Sequence, residues 1–254
     1  MNHPDQMYAL SVSNVSKSFG GVHAVQNASL YVPTGERRAL IGPNGAGKTT
    51  LFNLITGELN IDSGRVEIFG TDITRKSVQE RARLGLGRTY QISQLFLELT
   101  VEENLFLAGA SNQGLEFHFF RMWRDYARQR EWVEEVAAQV KLSEYLPKKV
   151  SEISHGLQRQ LEIGMAIAMR PKLIMLDEPA AGLSPSERTI LTGLIKRLPR
   201  DATLVLIEHD MEIVLEIADQ ITVLKQGSVL AEGTPGQIKA NEEVQRVYLG
   251  SSHA

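Results

Sequence analysis

Apolar and polar residues alternate along two stretches near the start of the chain, 8–15 and 22–32, as they do in strands with one buried face. Phe19, Gly20 and Gly21 lie between these stretches. Because adjacent glycines favour the tight turns that join antiparallel strands, the pattern predicts a β-hairpin with Phe19 at its tip. The ring of Phe19 either covers the edge of the sheet or offers a stacking surface, and its position alone favours neither.

Further strands and helices alternate along the rest of the chain, as in an α/β fold. Strands are predicted at 37–41, 64–69, 86–91, 172–177 and 202–207, with a final hairpin at 220–224 and 228–231. Helices are predicted at 77–84, over much of 99–140, at 161–168, after Ser184 and in the last residues to Leu249. The continuous apolar runs at 172–177 and 202–207 are typical of buried parallel strands. A helical insertion between two halves of an α/β core accounts for this order.

A glycine-rich segment joins the strand at 37–41 to the helix that begins near Lys48. Its residues are Gly42, Pro43, Asn44, Gly45, Ala46, Gly47, Lys48, Thr49 and Thr50. Glycines allow left-handed dihedrals, so successive N–H groups turn inward around a polyphosphate, and the helix adds its positive dipole end. Lys48 would reach the β- and γ-phosphates, and the Thr49 hydroxyl would bind Mg²⁺. The flanking strand and helix are the context that a phosphate-binding loop requires.

Acidic residues and a histidine follow the two buried strands. Asp177 and Glu178 end the first, and such a pair is costly unless it holds a metal or a reacting water. We expect Asp177 to join the Mg²⁺ shell and Glu178 to be the base that polarises the attacking water. His209 follows the second strand, and ligands of doubly wound sheets gather at these carboxyl ends. We therefore expect His209 to contact the γ-phosphate.

Composition narrows the classes of protein. The 254 residues carry 27 Lys+Arg against 30 Asp+Glu, a net charge of -3, so no overall basic field favours nucleic acid. Cysteine is absent, which excludes disulfides and thiol chemistry and fits a reducing cytoplasm. The first residues lack the basic flank and apolar core of a signal peptide, and no apolar run approaches the roughly 20 residues of a membrane span. We expect any membrane association to be peripheral, through a partner protein.

Aromatic residues alternate with arginines inside the helical insertion. The aromatics are Phe117, Phe119, Phe120, Trp123, Tyr126 and Trp132, and the arginines are Arg121, Arg124, Arg128 and Arg130. This pattern is typical of an amphipathic helix whose aromatics pack while its arginines stay solvated. A nucleic-acid face, a membrane-surface face and a docking surface for a partner protein share the composition and stay open.

Ser154 lies ahead of the helical run at 161–168 and is suited to cap that helix. The N-terminus of a helix favours an anion, but an ordinary capped helix has the same pattern. Residues 154–156 by themselves therefore assign no site.

Six motifs together resemble the ATP-binding subunit of ABC transporters over essentially the full length. In chain order they are Phe19, the phosphate loop, Gln91, the signature segment (Ser154, His155 and Gly156), Asp177 with Glu178, and His209. The resemblance implies a single ABC ATPase domain: a P-loop NTPase (RecA-like) core with an antiparallel β subdomain and an inserted α-helical subdomain. It places the core with its β subdomain at 1–91 and 160–254, and the helical subdomain at 92–159.

The resemblance also implies the roles of individual residues. Phe19 would stack on adenine, and Val25 would also contact ATP. Gln91 would join Thr49 and Asp177 around Mg²⁺, and the catalytic residues would be Lys48, Gln91, Glu178 and His209. Two subunits would close head to tail, so that the signature segment serves the partner subunit's ATP.

Within the family, the chain looks most similar to importers of branched-chain amino acids and related amides. Residues 87–91, 95–96, 99–105 and 177–185 carry this similarity, while 246–250 also look similar to lipopolysaccharide-export ATPases. The similarity implies an ATPase on the cytoplasmic side of the inner or plasma membrane. Its partners would be a second ATPase subunit, identical or homologous, transmembrane permease chains and a periplasmic solute-binding protein, without nucleic acid.

The chain departs from the family pattern at a few positions. The signature is usually Leu-Ser-Gly-Gly-Gln, whereas Ile153, His155 and Leu157 stand here in place of Leu, Gly and Gln. Leu157 removes a side-chain hydrogen bond, which would lower turnover. Ser184 replaces the acid that is usual after the catalytic carboxylate, which would alter communication across a dimer.

Two alternatives to import are kept. A lipid or lipopolysaccharide exporter is favoured by the C-terminal residues alone. A non-transport ABC protein acting on ribosomes or DNA usually carries two cassettes or a long coiled coil between its nucleotide motifs. This chain has one phosphate loop, and the interval between Lys48 and Asp177 is short.

Overall fold

The structure, a computed structural model, describes residues 7–88, 95–111 and 119–249, with the side chains of 111–128 and 248–249 left out. The chain forms two compact units. The first contains 1–86, 172–178 and 199–254, and the second contains 87–171 and 179–198. The predicted helical subdomain at 92–159 falls within the second unit.

The elements follow the predicted alternation. The strands are β1 (Tyr8–Phe19), β2 (Val22–Pro33), β3 (Arg37–Ile41), β4 (Ser63–Ile68), β5 (Thr71–Asp72), β6 (Leu86–Arg88), β7 (Leu173–Asp177), β8 (Thr203–Ile207), β9 (Gln220–Lys225) and β10 (Ser228–Gly233). The helices are α1 (Lys48–Thr56), α2 (Val78–Arg83), α3 (Val101–Ser111), α4 (Phe119–Gln139), α5 (His155–Ala168), α6 (Pro185–Arg197), α7 (Met211–Ile217), α8 (Pro235–Ala240) and α9 (Glu242–Leu249). Short 3-10 helices span Ser143–Tyr145 and Val150–Glu152.

The first unit contains an antiparallel sheet in the order β2-β1-β4-β5. β1 and β2 form the predicted hairpin, and Phe19 faces Val22 across its turn. Gly20 adopts a left-handed φ of 57°, which glycine reaches without steric cost. The prediction of an antiparallel β subdomain is confirmed.

A mixed sheet in the order β10-β9-β3-β8-β7-β6 forms the rest of the strand framework. β8 runs parallel to both β3 and β7, while β10 pairs antiparallel to β9. Every residue of β3, β7 and β8 is buried, as their apolar runs predict. Because these three strands are parallel neighbours, their carboxyl ends lie at one edge of the sheet.

Helix α1 packs its apolar face into the main core of the first unit. Leu51, Phe52, Leu54 and Ile55 are fully buried there with residues of β1, β2 and the central strands. Burying one such side chain stabilises the fold by about 1.5–3 kcal/mol. This packing fixes the helix that carries Lys48 at its first position.

Arg81 anchors the other end of α1. Arg81 is 2% exposed, and its guanidinium donates hydrogen bonds to the carbonyls of Leu54 (2.7 Å) and Ile55 (2.6 Å). Burial lowers the pKa of Arg81, while the carbonyls at the helix C-terminus provide the negative potential that holds the cation. Gly57 leaves the space, because a Cβ there would lie 2.8 Å from Nε of Arg81.

The second unit is built from α3, α4, α5 and α6. Gly164 of α5 allows close helix packing, since a Cβ there would lie 3.1 Å from side-chain atoms of both Leu105 and Val140. Trp132 donates a hydrogen bond to the carbonyl of Ala168 at 3.1 Å. Arg130, in contrast, is exposed. The remaining aromatics and arginines of the predicted amphipathic stretch lie outside the described side chains.

Across the described ranges, none of the helices has both the length and the apolar character that crossing a membrane requires.

Candidate nucleotide-binding site

The predicted phosphate loop connects β3 to α1 and is tightly curled. Gly42, Gly45 and Gly47 have φ values of 156°, 78° and 96°, and the last two favour glycine strongly. A Cβ at Gly42 would lie 2.3 Å from the Leu224 carbonyl oxygen, and one at Gly47 would lie 2.4 Å from that of Ala24. The loop thus forms a cradle that side chains at these positions would disrupt.

Lys48 lies across this cradle. Its ammonium is nearly buried and donates hydrogen bonds to the carbonyls of Gly42 (2.8 Å) and Pro43 (3.1 Å). Burial lowers the pKa of Lys48, and the nearby carboxylates of Glu178 and Asp177 partly oppose the shift. The loop therefore holds a desolvated cation where a polyphosphate would bind, so the residues present fit a nucleotide.

Asp177 and Glu178 lie at the carboxyl end of β7, as predicted. Asp177 is 3% exposed, and Glu178 is half-buried with a left-handed φ of 47°. The Glu178 N–H donates to the carbonyl of Ile207 at 2.9 Å, which ties this turn to β8. The two carboxylates therefore lie on the edge of the sheet where the phosphate loop begins.

His209 follows β8 at the same edge. Its Nδ1 lies 4.0 Å from Oε1 of Glu178 and 3.9 Å from Oε2 of Glu208. Glu208 is fully buried and accepts a hydrogen bond from the His209 N–H at 3.2 Å. Glu208 was not among the predicted site residues, although it follows a continuous apolar strand much as Asp177 and Glu178 do.

The metal ligands can be tested in part. Thr49 is half-buried in the first turn of α1, and Asp177 is the last residue of β7. Hydroxyl and carboxylate oxygens suit Mg²⁺, which proteins usually bind through one or two carboxylates together with the phosphates of a substrate. Among the described residues, no group of three acidic or histidine side chains is arranged to hold a metal by itself. Gln91 lies outside the described residues.

Phe19 is presented at the tip of the first hairpin. Phe19 is 47% exposed, and Nζ of Lys17 lies 5.5 Å from the centroid of its ring. Asp62 accepts hydrogen bonds from Nζ of Lys17 and from the Ser18 N–H, both at 2.7 Å. Val25, in contrast, is 1% exposed and packs in the core. The hairpin tip thus offers one aromatic face in a fixed position.

The signature segment lies in the second unit, at the start of α5. The Ser154 hydroxyl caps this helix by accepting a hydrogen bond from the Leu157 N–H at 3.4 Å. The carboxylate of Glu187 in α6 lies against Gly156 of this helix. A Cβ at Gly156 would lie 2.2 Å from Oε1 of that carboxylate, so glycine makes room for it.

Glu187 belongs to the capping box of α6. Its Oε2 accepts hydrogen bonds from the Ser184 hydroxyl at 2.7 Å and from the Ser184 N–H at 2.9 Å. The hydrogen bond from the Ser184 hydroxyl lowers the pKa of Glu187 most, and the bond from the Ser184 N–H lowers it further. The three-residue spacing of Ser184 and Glu187 is the sequence pattern of a capping box, whereas no such spacing links Glu187 to Gly156.

A phosphate cradle between a parallel strand and a helix, with acids that end another parallel strand of the same sheet, defines a P-loop nucleoside triphosphatase. The similarity of the chain to known proteins supports this class. The family profile described as ABC transporter matches residues 25–181. A second profile, described as branched-chain amino acid ATP-binding cassette transporter, matches residues 228–254.

Two curated relatives extend the match to nearly the whole chain. The high-affinity branched-chain amino acid transport ATP-binding protein BraF of Pseudomonas aeruginosa is 40% identical over 250 residues, covering 96% of this chain and 98% of the relative. LivG of Escherichia coli, named in the same words, is 41% identical over 254 residues with the same coverage.

Solved structures show the same fold. The ADP conformation of MJ1267, an ATP-binding cassette of an ABC transporter, superposes with a TM-score of 0.82 at 33% identity over 96% of this chain and 99% of that one. A nucleotide-free ATP-binding cassette gives a TM-score of 0.81 at 34% identity over 95% and 99%. The chain belongs to the ATP-binding subunits of ABC transporters, in the branched-chain amino acid group, and it is an ATPase. The predicted family, fold class and enzyme class are confirmed.

Proposed function

We propose that this ATPase powers an importer of branched-chain (hydrophobic) amino acids or related amides. The observation that carries the proposal is the similarity to BraF and LivG over 96% of the chain. The lipopolysaccharide-export alternative depends on residues 246–250, and these lie inside the stretch that matches the branched-chain amino acid profile. That match favours import.

The described residues support a division of labour in hydrolysis. Lys48 and the N–H groups of the phosphate loop bind the phosphates of ATP, and Phe19 stacks on the adenine. The Glu178 carboxylate accepts a hydrogen bond from the attacking water and so polarises that water, while His209 contacts the γ-phosphate. Thr49, Asp177 and Gln91 would hold Mg²⁺, which neutralises phosphate charge when bound.

The proposed ATPase works as a pair. In a head-to-tail dimer of identical or homologous subunits, Ser154, His155 and Gly156 serve the partner subunit's ATP. The capped N-terminus of α5 supports this role, because a helix of 14 residues directs its dipole and its first N–H groups at an anion.

Permease chains are the proposed membrane partners. The second unit exposes Phe96, Leu97 and Leu107, which are 54%, 49% and 42% exposed. Beside them lies a groove of about 580 Å³ whose lining includes Leu99 and Phe106. We propose that these exposed apolar side chains belong to the surface that contacts a permease. We place the chain on the cytoplasmic side of the membrane, held by these contacts, with a periplasmic solute-binding protein completing the importer.

Co-purification from native membranes tests the proposed function. The tagged chain should bring down permease subunits, a second ATPase subunit or further copies of itself, and a periplasmic binding protein, identified by mass spectrometry. Co-purified lipopolysaccharide-export proteins would replace the importer with the exporter. Ribosomes or DNA-bound proteins without a permease would overturn the transport function.

A further inference from the structure

Glu208 is a buried carboxylate to which the proposed division of labour gives no task. It directly follows β8, and its side chain is 1% exposed. Removing a carboxylate from water is costly, and hydrogen bonds or opposite charge must compensate for the loss of hydration. An acid in this place is therefore expected to hold a neighbouring donor.

Glu208 contacts the next residue of the chain twice. Its Oε2 accepts a hydrogen bond from the His209 N–H at 3.2 Å, and the same oxygen lies 3.9 Å from Nδ1 of the His209 ring. The strand β8, which ends just before Glu208, pairs with β3 on one side and with β7 on the other. The carboxylate thus connects both the main chain and the ring of His209 to the centre of the sheet.

The ring of His209 faces two carboxylates with the same nitrogen. Nδ1 lies 4.0 Å from Oε1 of Glu178 and 3.9 Å from Oε2 of Glu208. The two nitrogens of an imidazole have separate partners, and the partner of one sets the role of the other. Because Nδ1 faces the carboxylates, Nε2 is the nitrogen left for a ligand.

Glu178 and Glu208 differ in how firmly they can hold the ring. The side chain of Glu178 is 25% exposed, and in the proposed mechanism its carboxylate turns to the attacking water. Contacts between catalytic groups are often long in a free enzyme and shorten when the substrate binds. Once Glu178 is engaged by the water, Glu208 is the carboxylate that remains beside Nδ1.

We propose that Glu208 is a positioning residue that holds the main chain of His209 and keeps Nδ1 of its ring toward the sheet, so that Nε2 is presented to the γ-phosphate. This inference rests on the proposed contact of His209 with the γ-phosphate. Glu208 acts only through His209 and touches neither the nucleotide nor the attacking water.

The test is Glu208→Gln in the full chain. Glutamine keeps the side-chain volume and an oxygen that accepts the His209 N–H bond, but its amide lacks the charge that attracts Nδ1. The kcat for ATP hydrolysis should fall about 10- to 100-fold, the scale for groups that orient a catalytic side chain. The KM for ATP should stay within about twofold, because Lys48 and the phosphate loop are unchanged.

Glu36 provides a matched control. Its side chain is 13% exposed, and its Oε1 accepts a hydrogen bond from Nε of Arg38 at 2.6 Å. Glu36 precedes β3 and so lies at the opposite end of that strand from the phosphate loop. Glu36→Gln should lower the thermal stability, because Arg38 loses a charged partner, and leave kcat unchanged. Losses of kcat that follow the losses of thermal stability in both variants would make the role of Glu208 structural and overturn the inference.

A double-mutant cycle with His209→Ala decides whether Glu208 acts through the ring. In the His209→Ala chain, Glu208→Gln should change the single-turnover rate by less than about twofold, because the ring that it positions is missing. An undiminished effect in that chain would overturn the inference. If Glu208→Gln fails to fold, Glu208→Asp replaces it in the same cycle, since aspartate keeps the charge but draws it back from the ring.

His209→Ala alone separates the inference from the function on which it rests. If this variant loses most turnover while Glu208→Gln keeps a normal kcat, the positioning role is wrong and the contact of His209 with the γ-phosphate stands. If His209→Ala hydrolyses ATP at a near-normal rate, the role of His209 is wrong, and the inference falls with it.

Discussion

At the scale of single residues, the described site concentrates opposite charges at one edge of a buried sheet. Lys48 is desolvated against carbonyls of its own loop, and Asp177 is nearly buried at the end of β7 in the same sheet. Both arrangements are costly without a ligand, because burial penalises charge. The phosphates of a nucleotide would offset the buried charge of Lys48, and a metal ion would offset that of Asp177. Ligand binding should therefore stabilise the fold.

Replacing the proposed base tests the chemistry at Glu178. Glu178→Gln should retain ATP binding, because Lys48 and the loop are untouched, but lose most hydrolysis, because an amide accepts no proton from the water. Binding is measured by calorimetry and turnover by phosphate release. Near-normal turnover in this variant would contradict the assigned base.

Phe19 tests the contact with the base of the nucleotide. Phe19→Ala should weaken binding of ATP about tenfold, the scale of one lost stacking contact, and leave binding of inorganic tripolyphosphate unchanged. Phe96→Ala removes a similarly exposed aromatic from the second unit and should change neither affinity. Equal loss of both ligands in Phe19→Ala would assign Phe19 to the sheet edge instead.

At the scale of secondary-structure elements, local hydrogen bonding explains what the sequence could predict. The caps formed by Thr100 with Glu103 and by Ser184 with Glu187 follow from a three-residue spacing, and both are present. The helix α7 was not predicted, because Met211–Ile217 spans only two turns. Its cap, Asp210, directly follows Glu208 and His209, which were interpreted as the end of a strand at a catalytic site. Short elements carry too few positions to show a period.

The anchoring of α1 by Arg81 belongs to this scale as well. Arg81→Met should destabilise the fold by about 2–4 kcal/mol, because the carbonyls of Leu54 and Ile55 lose their buried donors. Arg83 lies on the same helix but is exposed, so Arg83→Met should cost under about 0.5 kcal/mol. Urea unfolding of both variants measures the difference, and equal costs would contradict the anchoring.

At the scale of the whole molecule, the sequence predicted the α/β fold because its parallel strands are continuous apolar runs. The sequence could not predict the contact of Glu187 with Gly156 or the hydrogen bonds of Arg81 to α1. Each of these interactions joins residues of separate elements. The fold decides such pairs, and neither spacing nor periodicity encodes them. Glu208 was also missed, although it directly precedes His209.

Pairing of two subunits predicts complementation between inactive chains. Lys48→Ala and Ser154→Asp should each abolish hydrolysis, because each damages both sites of a symmetric dimer. In a mixed dimer, one site collects both defects and the other has none. An equal mixture should therefore recover about a quarter of the normal ATPase activity, given random pairing. No recovery would exclude a head-to-tail pair of identical chains.

The left-handed backbone at Glu178 also bears on how such a protein changes over generations. Single-nucleotide changes of a glutamate codon lead to Asp, Gln, Lys, Gly, Ala or Val. Glycine and aspartate accept a positive φ readily, whereas valine is a genuine outlier there. Mutation can thus convert this enzyme in one step into a folded, nucleotide-binding pseudoenzyme through Glu178→Gly, while Glu178→Val would be removed by selection against misfolding.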